Sequence, residues 1–227
     1  MNVILFGATG MVGQGALREC LPDPAVRNVL VVGRRATGQR HGKLRELVVP
    51  DVADLSAIES DLSGFDACLF CLGVSSAGMA EERYTKLTYD LTLAVASTLA
   101  RLNPGMTFIY VSGASTDSTE SGRIMWARVK GRTENALLRL PFRSAYMFRP
   151  GVIVPLHGIR SRTTWTRLAY AVTKPLHRPL IALLPNYVTT TGQLGRAMIA
   201  VARNGYTKPI LETRDISSVG ASVRSES

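Results

Sequence analysis

The chain has 227 residues, of which 46% are apolar and 19% are charged, and its formal net charge at pH 7 is +10. This composition is typical of a soluble globular protein, and the length is sufficient for one α/β domain with a full core. No uninterrupted apolar stretch is long enough to span a membrane, and the N-terminus has no basic leader or cleavage site, so we expect neither a transmembrane segment nor a signal peptide.

The first fifteen residues predict a strand, a glycine-rich turn and a helix. Residues 3–6 are an apolar run typical of a buried parallel strand, and three glycines with a spacing of three residues follow before a helical pattern begins. Such glycines allow a tight turn, a close approach to a pyrophosphate and close packing of helix on strand, while the helix N-terminus attracts phosphate. The alternative is a tight βα turn without a ligand. The residues predicted to contact a dinucleotide here are Gly7, Thr9, Gly10, Met11 and Val12, with Gly13 as the third glycine.

Strand and helix signals then alternate, which predicts a doubly wound parallel sheet of the Rossmann type. The further predicted strands are 28–32, 46–49, 66–72, 107–111 and 144–148, and the predicted helices are 55–62, 82–102 and 122–140.

Beyond residue 151 the pattern loosens. Residues 163–184 are helical in part, 193–203 form a clearer helix, and 209–212 form a short last strand. The final stretch, 213–227, contains five serines and predicts a disordered tail. We therefore expect a single domain over 1–212, with a small C-terminal part that covers the substrate from about residue 151.

The three cysteines predict no disulfide framework. Cys68 and Cys71 are three residues apart on a predicted strand, so they point to opposite faces and cannot share a metal. We interpret them and Cys20 as packing residues, which fits a reducing cytoplasm. The histidines His41, His157 and His177 have no metal-ligand spacing, so no metal site is expected.

The end of the second predicted strand indicates which dinucleotide is bound. An NAD-binding Rossmann unit usually has an acidic residue there for the ribose hydroxyls, whereas this chain has Arg34 and Arg35. Guanidinium groups match a 2′-phosphate, so the sequence predicts NADP(H). The alternative is that both arginines are solvated surface residues.

Four motifs lie at the ends of predicted strands: Gly7-Ala8-Thr9-Gly10-Met11-Val12-Gly13, Asp51-Val52, Cys71-Leu72-Gly73 and Arg149-Pro150-Gly151. Together they resemble the atypical short-chain dehydrogenase/reductases, closest to the NAD(P)H-binding, epimerase-like group that includes the Tat-interacting oxidoreductase. The resemblance extends to about Glu212. It implies that Asp51 and Val52 contact the adenine, that Cys71, Leu72 and Gly73 line the adenine ribose, and that Pro150 to Val152 approach the nicotinamide.

The same resemblance implies a catalytic serine, matched by Ser112 with Ser115 as a second candidate, and a lysine that binds the ribose, matched by Lys130. The tyrosine that acts as general acid/base in that superfamily is replaced by Trp126, one helical turn before Lys130. An indole cannot exchange a proton near neutral pH. The other tyrosines considered, Tyr84, Tyr89, Tyr110 and Tyr146, lie in strands or in the preceding helix region and do not restore this function.

Two functions follow from these residues. The first is a weak or atypical NADP-dependent oxidoreductase or epimerase-like enzyme acting on a small substrate, with Ser112 holding its oxygen and Lys130 the ribose. The second is a non-catalytic NADP(H)-binding protein that reports redox state to a partner. Fold alone does not decide between them.

The distribution of charge predicts an anionic partner. Between residues 135 and 211 there are eleven Lys or Arg and no Asp or Glu. Within the basic segment 160–178, Arg167, Lys174 and Arg178 would share a helix face that meets a small anionic substrate or an acidic membrane surface. The alternative is a solvated basic face, and nucleic acid is not expected because no recognition motif accompanies the charge.

Overall fold

The computed structural model describes residues 1–156 and 186–222, and in this part of the chain a seven-stranded parallel sheet lies between two layers of helices. The sheet order is β3-β2-β1-β4-β5-β6-β9, and all neighbouring strands run parallel. A separate parallel pair is formed by β7 and β8. The predicted Rossmann-type sheet is confirmed. The strands are β1 (Asn2–Phe6), β2 (Asn28–Gly33), β3 (Leu44–Val48), β4 (Ala67–Phe70), β5 (Thr107–Val111), β6 (Ser144–Arg149), β7 (Val152–Val154), β8 (Val188–Thr190) and β9 (Ile210–Glu212).

The helices pack on the two faces of this sheet. One core contains buried side chains of α1, α5 and α6, and the other contains those of α3, α4 and a short 3-10 helix. The helix α2 continues through one π-helical turn (Lys86–Asp90) into α3. The helices are α1 (Met11–Cys20), the 3-10 helix (Ser56–Leu62), α2 (Glu81–Thr85), α3 (Leu91–Leu102), α4 (Met125–Leu137), α5 (Thr191–Asn204) and α6 (Thr213–Ser222).

The cysteines lie where the alternation of a strand places them. Cys68 is buried in the core under α3 and α4, whereas Cys71 packs against the opposite core, which contains Cys20. All three thiols are free, and burial raises their pKa, that of Cys71 to about 12. The interpretation of these residues as packing residues is confirmed.

Close packing of α1 against α5 depends on glycine. A Cβ atom at Gly15 would lie 2.7 Å from the side chain of Thr191, and one at Gly195 would lie 3.0 Å from the carbonyl oxygen of Gly15. At the edge of this contact, Arg196 forms an ion pair with Glu19 at 3.1 Å. The two helices therefore approach each other backbone to backbone, with almost no space between them.

The predicted disordered tail is wrong for residues 213–222, which form α6. The side chain of Ile216 is fully buried, and a Cβ atom at Gly220 would lie 2.2 Å from the carbonyl oxygen of Gln193. The carboxylate of Asp215 accepts a hydrogen bond from the backbone N–H of Glu212 at 2.9 Å. A serine-rich sequence can be helical when one apolar face is buried, because burial rather than composition stabilises it.

The boundaries of some other elements differ from the predicted boundaries by a few residues. Helix α4 begins at Met125 instead of 122, because the backbone N–H of Gly122 is bound to the side chain of Asp117 within the preceding loop. The predicted helix 55–62 is a 3-10 helix. The predicted helical region 163–184, the basic segment 160–178 and the two histidines His157 and His177 lie outside the described residues.

Part of the basic excess is neutralised within the fold. Of the basic residues between 135 and 211 that the structure describes, Arg149, Arg196 and Lys208 form ion pairs with acidic residues from outside that stretch. Those three charges therefore contribute to folding instead of to an anion-binding surface. None of the described helices is both long and apolar enough to cross a bilayer.

The packing of α6 can be tested by truncating its buried side chain. Ile216→Ala should lower the free energy of unfolding by about 2–5 kcal/mol, because it leaves a cavity between α6 and the sheet. The exposed Ser218→Ala is the matched control and should change it by less than about 0.5 kcal/mol. Urea unfolding followed by circular dichroism measures both. Equal stability of the two variants would mean that residues 213–222 are not packed.

Candidate functional site

The turn after β1 has the geometry that the glycine spacing predicts. Gly7 has a φ of +81°, and its carbonyl oxygen accepts a hydrogen bond from the backbone N–H of Gly10 at 2.9 Å. A Cβ atom at Gly7 would lie 2.7 Å from the backbone of Cys71, and one at Gly13 would lie 2.1 Å from the carbonyl oxygen of Gly7. Both positions therefore require glycine, one for the turn and one for helix packing.

The N-terminus of α1 is open to an anion. The N-cap residue is Gly10, which provides no side-chain cap, and the first turn contains no acidic residue. Backbone N–H groups at this end of the helix are thus left for an external acceptor, and the helix dipole favours a negative one.

A cavity of about 380 Å³ extends from this turn along the carboxyl ends of β2, β3 and β4. It brings together most of the residues predicted to bind the dinucleotide, and two leucines of the π-helical turn and α3, Leu87 and Leu91, form its far wall. Carboxyl ends of parallel strands are where such sheets bind ligands. The predicted residues that line it are Gly7, Thr9, Gly10, Met11, Arg34, Arg35, Asp51, Val52, Cys71, Leu72 and Gly73.

The two arginines at the end of β2 are exposed at this cavity. Asp51, which follows β3, directs its carboxylate to the backbone N–H of Ala53 at 2.9 Å. Val52 is buried beside it. This end of the cavity therefore combines an apolar wall with two guanidinium groups.

A second cavity, of about 570 Å³, adjoins the first through shared residues of the glycine turn and of the segment after β4. Most of the side chains that line it are apolar, and Lys130 is the one cationic side chain among the described residues that line it. The two cavities share six lining residues, and we call the two adjoining cavities the crevice. The residues that line only the second cavity are Val12, Val111, Ser112, Gly113, Ala114, Trp126, Lys130, Pro150, Gly151 and Ile153.

One face of α4 faces this second cavity. Trp126 and Lys130 lie one turn apart and both line it, and Glu134 continues the same face a turn later. No tyrosine is found among the described residues that line either cavity, and Tyr110 is fully buried within β5. Trp126 therefore lies in the wall of the crevice, on the same face as Lys130.

Ser112 lines the second cavity, as predicted, and its contact with a substrate oxygen stays a prediction. Its hydroxyl lies 2.5 Å from the carboxylate of Glu134 and 3.1 Å from the carbonyl oxygen of Phe148, and it can donate to either acceptor. Ser115, the second candidate, is exposed and has a φ of +66° outside the cavity. Val152 is 49% exposed, and its neighbour Ile153 lines the cavity in its place, since consecutive strand residues point to opposite sides.

The sequence analysis missed the buried ion pair between Glu134 and Arg149. Arg149 Nε donates to both carboxylate oxygens of Glu134 at 3.1 and 3.2 Å, and Arg149 Nη2 donates to Oε2 at 2.5 Å. Glu134 is 1% exposed. The sequence does contain one indication of this pair. Glu134 lies one helical turn after Lys130 and therefore on the helix face that was already predicted to contact the site.

Lys130 is held at the junction of α4 and the end of β5. Its ammonium group donates a hydrogen bond to the carbonyl oxygen of Ser112. Burial lowers the pKa of Lys130 to about 8, although the carboxylate of Glu134 acts in the opposite direction. The side chain is therefore cationic at neutral pH and close to its titration range.

Several solved structures share this fold. The structure superposes with a TM-score of 0.65 on DesIV, the dTDP-glucose 4,6-dehydratase of Streptomyces venezuelae with NAD bound, over 99% of this chain and 81% of that one at 15% identity. For WbmF of Bordetella bronchiseptica in complex with NAD+ and UDP the TM-score is 0.67, over 99% and 77% at 15% identity. For a short-chain dehydrogenase/reductase of Saccharomyces cerevisiae it is 0.66, over 96% and 98% at 13% identity. The predicted resemblance to the epimerase-like short-chain dehydrogenase/reductases is confirmed at the level of the fold, and the closer resemblance to the Tat-interacting group stays a prediction.

The sequence itself is similar to fungal proteins named FMP52. It is 31% identical to that of Emericella nidulans over 159 residues, which are 67% of this chain and 66% of the relative, slightly less than two thirds of its length. It is 27% identical to that of Eremothecium gossypii over 205 residues, which are 89% and 88%. No protein-family model matches the chain.

The predicted cytoplasmic location is contradicted by these relatives, because both are named mitochondrial proteins. Unpaired cysteines indicate only that a compartment is reducing, and they do not identify which compartment it is.

The buried ion pair should dominate the stability of this site. Arg149→Ala leaves the charge of Glu134 buried without its main partner and should lower the free energy of unfolding by about 3–5 kcal/mol. The matched control is Arg101→Ala, which removes an exposed ion pair with Glu59 and should cost at most about 1 kcal/mol. Guanidinium unfolding measures both, and similar losses would contradict the burial of the pair.

Proposed function

We propose that this chain, which has the fold of the epimerase-like short-chain dehydrogenase/reductases, binds NADP(H) in the crevice and is a slow, atypical reductase of a small carbonyl substrate. The observation that carries the proposal is that the two cavities adjoin and share lining residues. Together they are lined by a turn suited to phosphate, by two arginines at the end of β2, and by Lys130 among mostly apolar side chains.

The residues of the first cavity fit a dinucleotide. Side chains at Gly7 and Gly13 would collide with backbone, so the turn keeps its narrow form, and the uncapped N-terminus of α1 can accept a pyrophosphate. Val52 and Leu72 offer apolar surfaces to an adenine. The neighbouring DesIV and WbmF structures have NAD or NAD+ bound, which supports the same class of cofactor for this chain.

The preference for the phosphorylated dinucleotide is argued from charge. Arg34 and Arg35 line the cavity at the end of β2, where an NAD-binding unit usually has an acidic residue. A guanidinium group binds a phosphate with paired, charge-assisted hydrogen bonds. The 2′-phosphate of NADP(H) would neutralise these two arginines.

The second cavity supports a small carbonyl substrate. Its described walls are mostly apolar, and they contain no carboxylate that would repel an anionic group. A bound nicotinamide cofactor would supply hydride, while Lys130 contacts the ribose side and Trp126 forms the apolar wall. The reaction is expected to be slower than in a tyrosine-bearing relative, because the phenol that usually exchanges the proton is missing.

A non-catalytic NADP(H)-binding protein is the second candidate. Two observations favour it. Trp126, and not a tyrosine, lies one turn before Lys130 in the cavity wall, and the hydroxyl of Ser112 is hydrogen-bonded to Glu134. In that case the crevice would still bind the cofactor, and the protein would report its presence to a partner.

The cofactor preference is tested by calorimetric titration of NADPH and NADH. The wild type should bind NADPH roughly ten-fold or more tightly, because a charge-assisted contact to phosphate contributes about 1.5–3 kcal/mol. Arg34→Ala/Arg35→Ala should remove this preference and leave NADH binding within about two-fold. Arg40→Ala, an exposed arginine outside the cavity, is the control. Equal affinities in the wild type would refute the preference.

The role of position 126 is tested by NADPH oxidation with a panel of aldehydes, ketones and quinones. Trp126→Tyr places a phenol one turn from Lys130, whose charge favours the phenolate, and should raise the rate, at most by the factor of about 10²–10⁴ that acid–base catalysis supplies. The gain is limited by the gap that the smaller ring leaves.

Trp126→Phe is the matched control, since it has the same ring size without a hydroxyl, and it should give no gain. Brisk turnover by the wild type that Trp126→Ala leaves unchanged would show that this position is not part of the catalytic site.

A further inference from the structure

We propose that Lys130 is itself the proton donor of this site, delivering a proton from its ammonium group to the carbonyl oxygen of the substrate. This assignment rests on the proposed reductase function, and it identifies the group that replaces the absent tyrosine hydroxyl.

The geometry leaves Lys130 as the available donor. Its ammonium group has three N–H bonds, and one of them is directed to the carbonyl oxygen of Ser112, so two remain for the cavity that it lines. The indole of Trp126 cannot release a proton near neutral pH. The hydroxyl of Ser112 donates to Glu134, and the thiol of Cys71 is held neutral by burial, which raises its pKa to about 12. The described residues of the second cavity include no histidine or carboxylic acid.

The charged groups around Lys130 set its proton affinity. The carboxylate of Glu134, on the same helix as Lys130, raises the pKa of Lys130, but this carboxylate also forms an ion pair with Arg149 of β6. The other ionisable group that faces the cavity, Cys71 after β4, is uncharged. Burial is the larger influence and brings the pKa of Lys130 to about 8, which is close to the value at which a general acid is most effective near neutral pH.

The proton balance of the step is simple. A reduced nicotinamide dinucleotide, when bound, would supply the carbonyl carbon with a hydride and its two electrons. The carbonyl π bond would open, and the oxygen would take the proton from an N–H bond of Lys130 as that bond breaks, so the product would be an alcohol. Lys130 is left as a neutral amine, which solvent protonates again before the next turnover.

The first experiment separates charge from proton transfer. Lys130→Arg keeps a cation but cannot release a proton, because the guanidinium stays protonated. We expect NADPH affinity within about five-fold of the wild type and a loss of about 10²-fold or more in the single-turnover rate of carbonyl reduction. Lys130→Met should lose both. Lys86→Arg, at an exposed lysine outside the cavities, is the control and should retain both.

The pH profile is a second readout. The wild-type rate of reduction should fall above about pH 8, because the acid form of Lys130 is lost there, and the profile of Lys130→Arg should lack this limb. Glu134→Gln removes the charge that raises the pKa of Lys130, so it should move the limb to lower pH. Glu134 thus acts as a positioning residue through Lys130.

A third readout requires neither cofactor nor turnover. Competitive acetylation over a range of pH, with quantification of each lysine by mass spectrometry, gives the titration of Lys130 in the cofactor-free protein. Lys130 should titrate near pH 8, well below the ordinary range of a lysine side chain.

Each outcome decides a different statement. Titration of Lys130 near its ordinary value, or a Lys130→Arg rate equal to that of the wild type, overturns the proton-donor role and leaves the reductase function intact. NADPH binding without turnover of any carbonyl overturns the reductase function and the donor role together, and favours the non-catalytic protein. Failure to bind NADPH or NADH overturns the proposed function at its first step.

Discussion

The arrangement of the site depends on the buried ion pair between Glu134 and Arg149. Two charges in an interior are stable only when their geometry is good and their remaining hydrogen-bonding capacity is satisfied. Here the guanidinium group contacts both carboxylate oxygens and also Ser118, and the hydroxyl of Ser112 supplies a further donor. Because Glu134 is one turn from Lys130, anchoring its carboxylate at the end of β6 fixes the rotation of α4 about its axis. The orientation of Lys130 is therefore a consequence of a contact within the protein itself, between Glu134 and Arg149.

The glycine turn and the sheet are the parts of the molecule that the sequence predicts best. Gly7 and Gly13 are needed for reasons of local geometry, and that need appears directly as a spacing in the sequence. The apolar runs of β1, β2 and β5 are equally easy to recognise in the sequence, because a strand that is buried on both faces has few polar residues. The observed order β3-β2-β1-β4-β5-β6 is that of the Rossmann type, which the alternation of strands and helices predicts.

Features that depend on long-range contacts were less predictable. The disordered tail was predicted from local composition, but the side chain of Ile216 is buried by residues that are distant in the chain. Ser112 was placed at the right end of β5, whereas the direction of its hydroxyl is set by Glu134, 22 residues later. Val152 was assigned to the cavity by resemblance, and the pairing of β7 with β8 turned Ile153 there instead. In each case the position along the chain was right or nearly right, and the partner was unknown.

The contact between α1 and α5 has a consequence for how a ligand would leave. Helix α1 presents its N-terminus to the phosphate site, and along its length it is packed backbone to backbone against α5 through Gly15 and Gly195. Helix α5 is packed in turn against α6. The anion-binding end of the crevice thus cannot open by a movement of α1 alone, because the C-terminal helices would have to move with it. A ligand that binds at the N-terminus of α1 only when these helices are packed would therefore also stabilise the C-terminal packing.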